Sequence, residues 1–250
     1  MTTPKIIAHR ALTPGAIENA RSSLARMESA GADLVEMDVR LSLDRRPFVT
    51  HDALLGRTTR GHGWIRLWPS FALRRVALRN AGDGERLATL RSMLESMPAG
   101  LQPALHVKDR GALRQVLRTV KRHGRPGKTW LWLEHPEDVY TATRRMPEIR
   151  CTLLRPAGWT LTARHAYFLD AQRSGAHGVS IPSGVITPDL VAHAHQHHLQ
   201  VFSRVNNLTG LPQLVAAGTD GFITDDPREM SNGLRELIGW ADSSTPRSRP

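Results

Sequence analysis

The chain has 250 residues, 40% of them hydrophobic and 23% charged, with a formal charge of +11. That apolar content excludes a disordered polymer, and no stretch approaches the ~18 apolar residues of a membrane span. The basic excess comes from 30 arginines and 4 lysines scattered along the chain. It includes no dense Lys/Arg block, aromatic RNA-stacking motif or Cys/His zinc-finger spacing, so a diffusely basic surface and no nucleic-acid partner are expected.

Short apolar, β-branched runs alternate with helical patterns from end to end. The first run is Lys5 to Ala8. A helix is expected from Glu18 to Ala30, with Gly31 as its stop, then a strand from Asp33 to Leu41 with period two. Phe48 to Thr50 is a short extended piece leading to His51. From Gly56 to Gly100 the pattern is irregular, apart from a helix expected over Thr89 to Met97. Alternation then resumes. Strand-like runs lie at Ala104 to Val107, Thr129 to Leu133, Ile149 to Leu154, Gly178 to Ile181, Leu199 to Val205 and Gly221 to Thr224. Helical patterns separate them near 110–123, 137–145, 160–174, 188–198 and 208–217, and a last one follows at 227–238. The strong runs give eight strand–helix units, the arithmetic of an α/β fold of the (β/α)8 TIM-barrel type. A doubly wound sheet would show a Gly-rich first turn, which A-H-R-A-L-T-P-G does not match. Residues 1–240 are expected to form one domain, and the Pro/Ser-rich tail at 241–250 to be disordered.

Cys151 is the only cysteine, which excludes an intramolecular disulfide and points to a reducing compartment. With the first strand beginning at Lys5, no room is left for a secretory signal, and a cytoplasmic location is the expectation.

In such a barrel the reactive groups sit at the C-terminal ends of the strands. The first strand ends in His9-Arg10. The second carries Glu36 and Asp38, two apart and therefore on one face. His51-Asp52 follows, and the third strand carries His106 and Lys108, again on one face. Two carboxylates on one face repel unless a cation or a proton lies between them, and hard divalent cations favour such oxygen donors. Taken singly, each of these residues reads as a scaffold histidine or a buried ion pair. As a set at successive strand ends they read as a site.

The same stretches resemble the glycerophosphodiester phosphodiesterases. That family's pattern begins H-R-G, P-E-N-T, G-A-D-x-x-E-x-D-V and H-D-x-x-L-x-R-T-T-x-G-x-G. Here the stretches read H-R-A from His9, I-E-N-A from Ile17, G-A-D-L-V-E-M-D-V from Gly31 and H-D-A-L-L-G-R-T-T-R-G-H-G from His51. L-A-T-L from Leu87 is similar to I-P-T-L, and A-G-T-D-G-F-I-T-D-D-P from Ala217 to the closing G-x-D-G-I-I-T-D-x-P. The resemblance implies that family's fold and a small phosphodiester substrate. It implies that Glu36 and Asp38 hold a divalent cation, Ca²⁺ or Mg²⁺, that polarises the phosphate. Arg10 and Lys108 would bind the phosphodiester, and His9 and His51 would serve as general base and general acid in an order left open. Direct attack by water and closure of a cyclic phosphate by a substrate hydroxyl also stay open. So does a non-catalytic phosphate-binding barrel that has lost its metal.

Four departures stand out. The family's third-strand E-x-K reads His106-Val107-Lys108, which makes His106 the candidate third metal ligand and brings Mn²⁺, Zn²⁺ or another transition ion into range. Glu134, at the end of the next strand, is a candidate for the missing carboxylate, although a helix-start surface Glu is the simpler reading. Ala11 replaces the Gly after His-Arg, and I-E-N-A keeps Glu18 and Asn19. W-T-V-N has become S-R-V-N at Ser203 to Asn206, which bears on how the alcohol part of a substrate is held. Elsewhere, H-A-H-Q-H-H at His193 to His198 reads as a solvated helix on which only His193 and His197 share a face. Cys151, Trp130 and Trp132 read as packing residues. The sequence does not assign an oligomeric state.

Overall fold

The computed structural model describes residues 3–81, 84–155, 164–205 and 207–239. The chain opens with β1 (Lys5–Ala8), α1 (Leu24–Ser29) and β2 (Leu34–Leu41). An irregular stretch follows with β3 (Pro47–Val49), β4 (Leu54–Leu55), β5 (Gly63–Trp64), α2 (Ser70–Leu73) and α3 (Leu90–Glu95). Strands and helices then alternate as β6 (Gln102–Val107), α4 (Leu113–His123), β7 (Trp130–Leu133), α5 (Pro136–Arg145), β8 (Arg150–Leu154) and α6 (Arg164–Ser174). The chain continues through β9 (Gly178–Ser180), α7 (Pro188–Gln196), β10 (Gln200–Arg204), α8 (Leu211–Ala216), β11 (Gly221–Thr224) and α9 (Pro227–Ile238).

Among these, β1, β2 and β6 to β11 pair in parallel, and β1 pairs with both β11 and β2, so the sheet closes into the expected eight-stranded barrel. β3 adds antiparallel to the C-terminal half of β2. The strands are buried on both faces, as parallel strands covered by helices must be, which is why Trp130-Leu131-Trp132-Leu133 reads as continuous apolar sequence. Inside the barrel, Ile7, Leu34, Ala104, Trp130, Trp132, Phe202 and Ile223 form one packed cluster. Gly178 and Gly221 make room for Phe202, since a Cβ at either would lie within 3 Å of its ring. At the N-terminal end, Lys5 and Arg150 close over the Trp130 ring at 5.1 and 5.4 Å. The interior below the strand ends is therefore solid, and both tryptophans and Cys151 are buried packing residues.

Local chemistry sets the helix ends. Thr89 caps α3 by accepting from Ser92 N, Thr187 caps α7, and Asp226 caps α9 ahead of Pro227. In α4, Leu113, Val116, Leu117 and Val120 face the barrel, and Lys121, Arg122 and His123 sit at its negative end.

Among the expected helices the first is shortened most in the structure. The span Glu18 to Ala30 resolves into a 3-10 turn at Arg21–Ser23 and α1. Upstream of that turn, Asn19 has φ +55° and its N–H donates to the Arg10 carbonyl at 2.7 Å, while Ile17 N–H donates to Ser23 Oγ at 3.1 Å. Those bonds hold the segment as a loop at the mouth of the barrel and remove it from any helix. The first four residues of the helix expected over 160–174, Asn206 and the tail at 241–250 lie outside the described residues. Among the described residues no helix is long and apolar enough to cross a membrane.

Candidate active site

The strand register brings the candidates together. Asp38 on β2 is paired with His106 on β6, and Glu36 lies one pleat below on the same face. Donor atoms of Glu36, Asp38 and His106 all lie within 4.8 Å of one another. His106 Nδ1 is 3.4 Å from Asp38 Oδ1 and 3.8 Å from Glu36 Oε1. Arg10 Nε stands 3.5 Å from Asp38 Oδ2, and Lys108 Nζ 3.8 Å from Asp38 Oδ1.

Both carboxyls are almost dry, with Glu36 2% and Asp38 1% exposed. Burial, reinforced by the neighbouring Asp38 charge, pushes Glu36 up to about 8. Burial also presses Asp38 upward, but its hydrogen bond to His106 and the charges of His106, Lys108 and His51 outweigh that and hold it below the usual carboxylate range. Burial works against a charged His106, yet hydrogen bonds to Asp38 and Glu134 raise it. A positive centre between the two carboxylates would relieve the strain that shows as the raised Glu36. Asp38 Oδ2 is buried and accepts no hydrogen bond. Two carboxylates, one of them with an oxygen that accepts no hydrogen bond, and an imidazole are a donor set that fits a divalent cation.

His9 begins a one-turn 3-10 segment at the end of β1. Its Nδ1 lies 2.6 Å from Asp225 Oδ1, just past the end of β11, and Asp225 Oδ2 accepts from Arg204 Nη2 at 3.1 Å. Burial lowers His9, assisted by the charges of Arg204 and Arg10; Asp225 opposes the fall without reversing it. The next residues hold a rare backbone: Arg10 has φ +52° and Ala11 +53°. Left-handed geometry costs a residue with a Cβ about 1–2 kcal/mol, so position 11, Gly in the family pattern, carries strain here. The Arg10 N–H donating to Glu36 Oε2 at 2.9 Å and the Arg10 carbonyl accepting from Asn19 pin the turn. Arg10 is thereby fastened to the carboxylate pair by its backbone as well as its side chain.

His51 follows β3, where Thr50 N–H donates to the Asp38 carbonyl and Arg40 Nε to the His51 carbonyl. Its Nδ1 is 2.7 Å from Asp52 Oδ1. Arg57 then bonds both Asp52 and, in bidentate fashion at 2.7 Å, Glu18.

Direct contacts thus gather Arg10, Glu36, Asp38, His106 and Lys108, while His9 and His51 flank them, each held through Nδ1 by an aspartate. The sequence reading named the histidines without Asp225, Asp52, Arg57 or Arg204 as their supports. Asp52 and Arg57 lie in the motif stretch that begins at His51, Asp225 in the closing T-D-D-P and Arg204 in S-R-V-N, but no spacing along the chain says which of them meet. Glu134 is half exposed and meets the far nitrogen of His106, Nε2, at 3.4 Å. It backs the imidazole and does not join Glu36 and Asp38 as a third carboxylate, an arrangement typical of the outer partner of a ligating histidine.

A glycerophosphoryl diester phosphodiesterase family model matches residues 9–229. The chain belongs to that family. Membership in the glycerophosphoryl diester phosphodiesterase family makes it a phosphoric diester hydrolase by class. A glycerophosphodiester phosphodiesterase of Caldanaerobacter subterraneus is 25% identical over 250 residues, covering 92% of this chain and 98% of the relative. Among solved structures, a Parabacteroides distasonis glycerophosphodiester phosphodiesterase superposes with TM-score 0.81 at 23% identity, covering 94% and 98% of the two chains. An Oleispira antarctica phosphodiesterase in complex with the product sn-glycerol-3-phosphate superposes with TM-score 0.77 at 23% identity, covering 93% and 97%. Within the family frame, His106, Ala11 and Arg204 are the departures that touch the site.

The clefts locate the open side. One cleft, of about 780 Å³, is lined by Arg21, Glu85, Arg91 and Glu95 among others and includes no strand-end residue. A second, about 620 Å³, runs from Lys108 past Arg40, Arg66 and Arg110 and along Leu43, Trp64 and Ile65. It joins the constellation to a wall that is both basic and apolar.

Proposed function

We propose that the chain hydrolyses a glycerophosphodiester, or a related small phosphodiester, to an alcohol and sn-glycerol 3-phosphate. The observation that carries this reading is the convergence of a buried, charge-strained Glu36–Asp38–His106 group with Arg10, Lys108 and two aspartate-held histidines, in a chain of this family. Glu36, Asp38 and His106 hold a divalent cation. When bound, that cation supplies Lewis-acid polarisation of a non-bridging phosphate oxygen. The mixed oxygen and nitrogen donors shift preference from Ca²⁺ and Mg²⁺ toward Mn²⁺ or another transition ion.

Arg10 grips the phosphodiester with directional donors, and Lys108 adds a point charge from the other side of Asp38. Each histidine spends Nδ1 on its aspartate and so presents Nε2 to the substrate. His9 is the base: its lowered proton affinity keeps it neutral near pH 7, ready to take a proton from the attacking oxygen. His51 is the acid that protonates the departing alkoxide. The cleft leading from Lys108 receives the alcohol part. The reaction belongs in the cytoplasm, in line with the single, buried thiol.

The test is phosphorus NMR of the products from a panel of glycerophosphodiesters with Ca²⁺, Mg²⁺ or Mn²⁺ added in turn. Sn-glycerol 3-phosphate is expected from the wild type, and no turnover from His9→Ala or His51→Ala with the circular dichroism unchanged. A cyclic phosphate as the final product would replace hydrolysis by intramolecular transfer. No turnover of any diester with any ion would leave a phosphate-binding barrel.

A further inference from the structure

On the outer helical layer, away from the strand ends, the structure brings together three imidazoles that no single stretch of sequence contains. His193 lies on α7, and His197 follows at the end of that helix one turn on. His165 comes from the start of α6. One ring nitrogen from each lies within 4.8 Å of the others. His165 Nδ1 and His193 Nε2 are 3.4 Å apart. Two donors on a tetrahedral zinc, at about 2.0–2.1 Å each, are separated by about 3.3–3.4 Å, so this pair already stands at the edge length of such a site.

His197 Nδ1 lies 2.9 Å from Gln172 Oε1, and in the tautomer in which Nδ1 donates to that oxygen, Nε2 keeps its lone pair. Phe168, fully buried in α6, packs edge-on against the His193 ring at 5.3 Å and fixes its plane. The other histidines of the tract are used elsewhere or turned away: His195 is paired with Asp220 at 2.8 Å, and His198 sits in a left-handed turn at φ +58°.

We propose that His165, His193 and His197 form a second metal site, separate in every ligand from the barrel-mouth group. Three neutral imidazoles without a carboxylate select a borderline transition ion, Zn²⁺ first and Ni²⁺ or Cu²⁺ with it, over Ca²⁺ or Mg²⁺. Three protein ligands leave the fourth position to water. The bound ion ties the start of α6 to the end of α7.

The probe is Zn²⁺ alone, titrated calorimetrically into wild type, into Glu36→Gln/Asp38→Asn to silence the barrel-mouth group, and into each background carrying His165→Gln or His193→Ala/His197→Ala. The silenced protein is expected to keep one zinc site. His165→Gln should weaken it at least about tenfold, and the double alanine variant should abolish it. Diesterase turnover in the wild-type background should be unchanged by either. Should the silenced protein fail to fold, the loss of one equivalent of zinc between wild type and the His193→Ala/His197→Ala variant carries the same information. Cu²⁺ in place of zinc should show coupling to imidazole nitrogen that the double alanine variant loses. Equal zinc stoichiometry and affinity with and without the three histidines would overturn the site. Zinc affinity indifferent to His165→Gln would overturn its three-ligand form.

Discussion

Replacing Asp225 by Asn keeps the shape of the side chain beside His9 and removes its charge. The contact at stake is a 2.6 Å bond between His9 Nδ1 and Asp225 Oδ1. Hydrogen bonds to a charged partner contribute about 1.5–3 kcal/mol. The Asp225 side chain is 51% exposed and shares its second oxygen with Arg204, so the lower end applies. About 1.5 kcal/mol corresponds to about a tenfold loss in kcat/KM. The loss should fall on kcat, because the aspartate orients His9 and does not touch the phosphodiester. The pH profile supplies an independent sign. Asp225 raises the proton affinity of His9 against burial, Arg204 and Arg10. Without its charge His9 loses its proton at still lower pH, and the acid limb of kcat/KM moves further below the ordinary histidine value. Asp225→Glu should recover part of the rate. The assay is steady-state hydrolysis of a glycerophosphodiester from pH 5 to 9 with saturating divalent cation. A change under twofold, a loss confined to KM, or an acid limb moving upward would refute the reasoning.

His106→Glu puts a third carboxylate where an imidazole now stands 3.4–3.8 Å from two others. At an effective dielectric constant near 20 the contact with ionised Asp38 alone costs about 5 kcal/mol, so the chelated variant should melt well below wild type. Its calorimetric preference should swing toward Ca²⁺ and Mg²⁺, and an unchanged preference would remove His106 from metal choice. Gly178→Ala would set a Cβ 2.7 Å from Phe202 Cε2 and 2.9 Å from the Gln200 carbonyl. A core clash of this kind costs about 1–3 kcal/mol, and a Tm within a degree of wild type would show that the barrel interior gives way. Burial pushes the Cys151 thiol up to about 12, so a thiol reagent at pH 8 should label unfolded protein and spare native protein. Because the folded value lies above the unfolded one of about 8.5, stability should be undiminished below that pH and decline as pH rises toward 12. Fast native labelling would contradict both statements.

The barrel was legible because every parallel strand is short, β-branched or aromatic and buried on both faces. The eight runs read from the sequence therefore coincide with β1, β2 and β6 to β11 to within two residues. Glu36, Asp38, His106 and Lys108 were legible for a related reason: polar residues two apart at the end of an apolar strand can only share a face. What stayed hidden depends on distance along the chain. His9 and Asp225 are 216 positions apart, and Glu18 meets Arg57 across 39. The shortened α1 was misread because Glu18 and Asn19 fit a helical start, while the bond from Asn19 N–H to the Arg10 carbonyl holds them in a loop. His165 was hidden because it lies 28 positions from His193, outside the H-A-H-Q-H-H tract.

The same contacts change the meaning of the basic composition. Around the barrel mouth the permanent cations Arg10, Arg57, Lys108 and Arg204 each face a carboxylate within 4 Å, drawn from Glu18, Asp38, Asp52 and Asp225. Glu36 and Glu134 add two more acids through His106. Among the described residues, therefore, each of these four cations is already partnered by a carboxylate, and little of the formal +11 stands free at this group. On the proposed reading, a divalent cation on Glu36, Asp38 and His106 would supply positive charge for an anionic diester that these paired cations do not. The imidazole at position 106 matters here because the carboxylate of the family pattern would leave the balance one unit more negative. On the same reading the substitution would trade affinity for a hard cation against an easier approach of the phosphate, a trade that the metal preference of His106→Glu and its KM should reveal together.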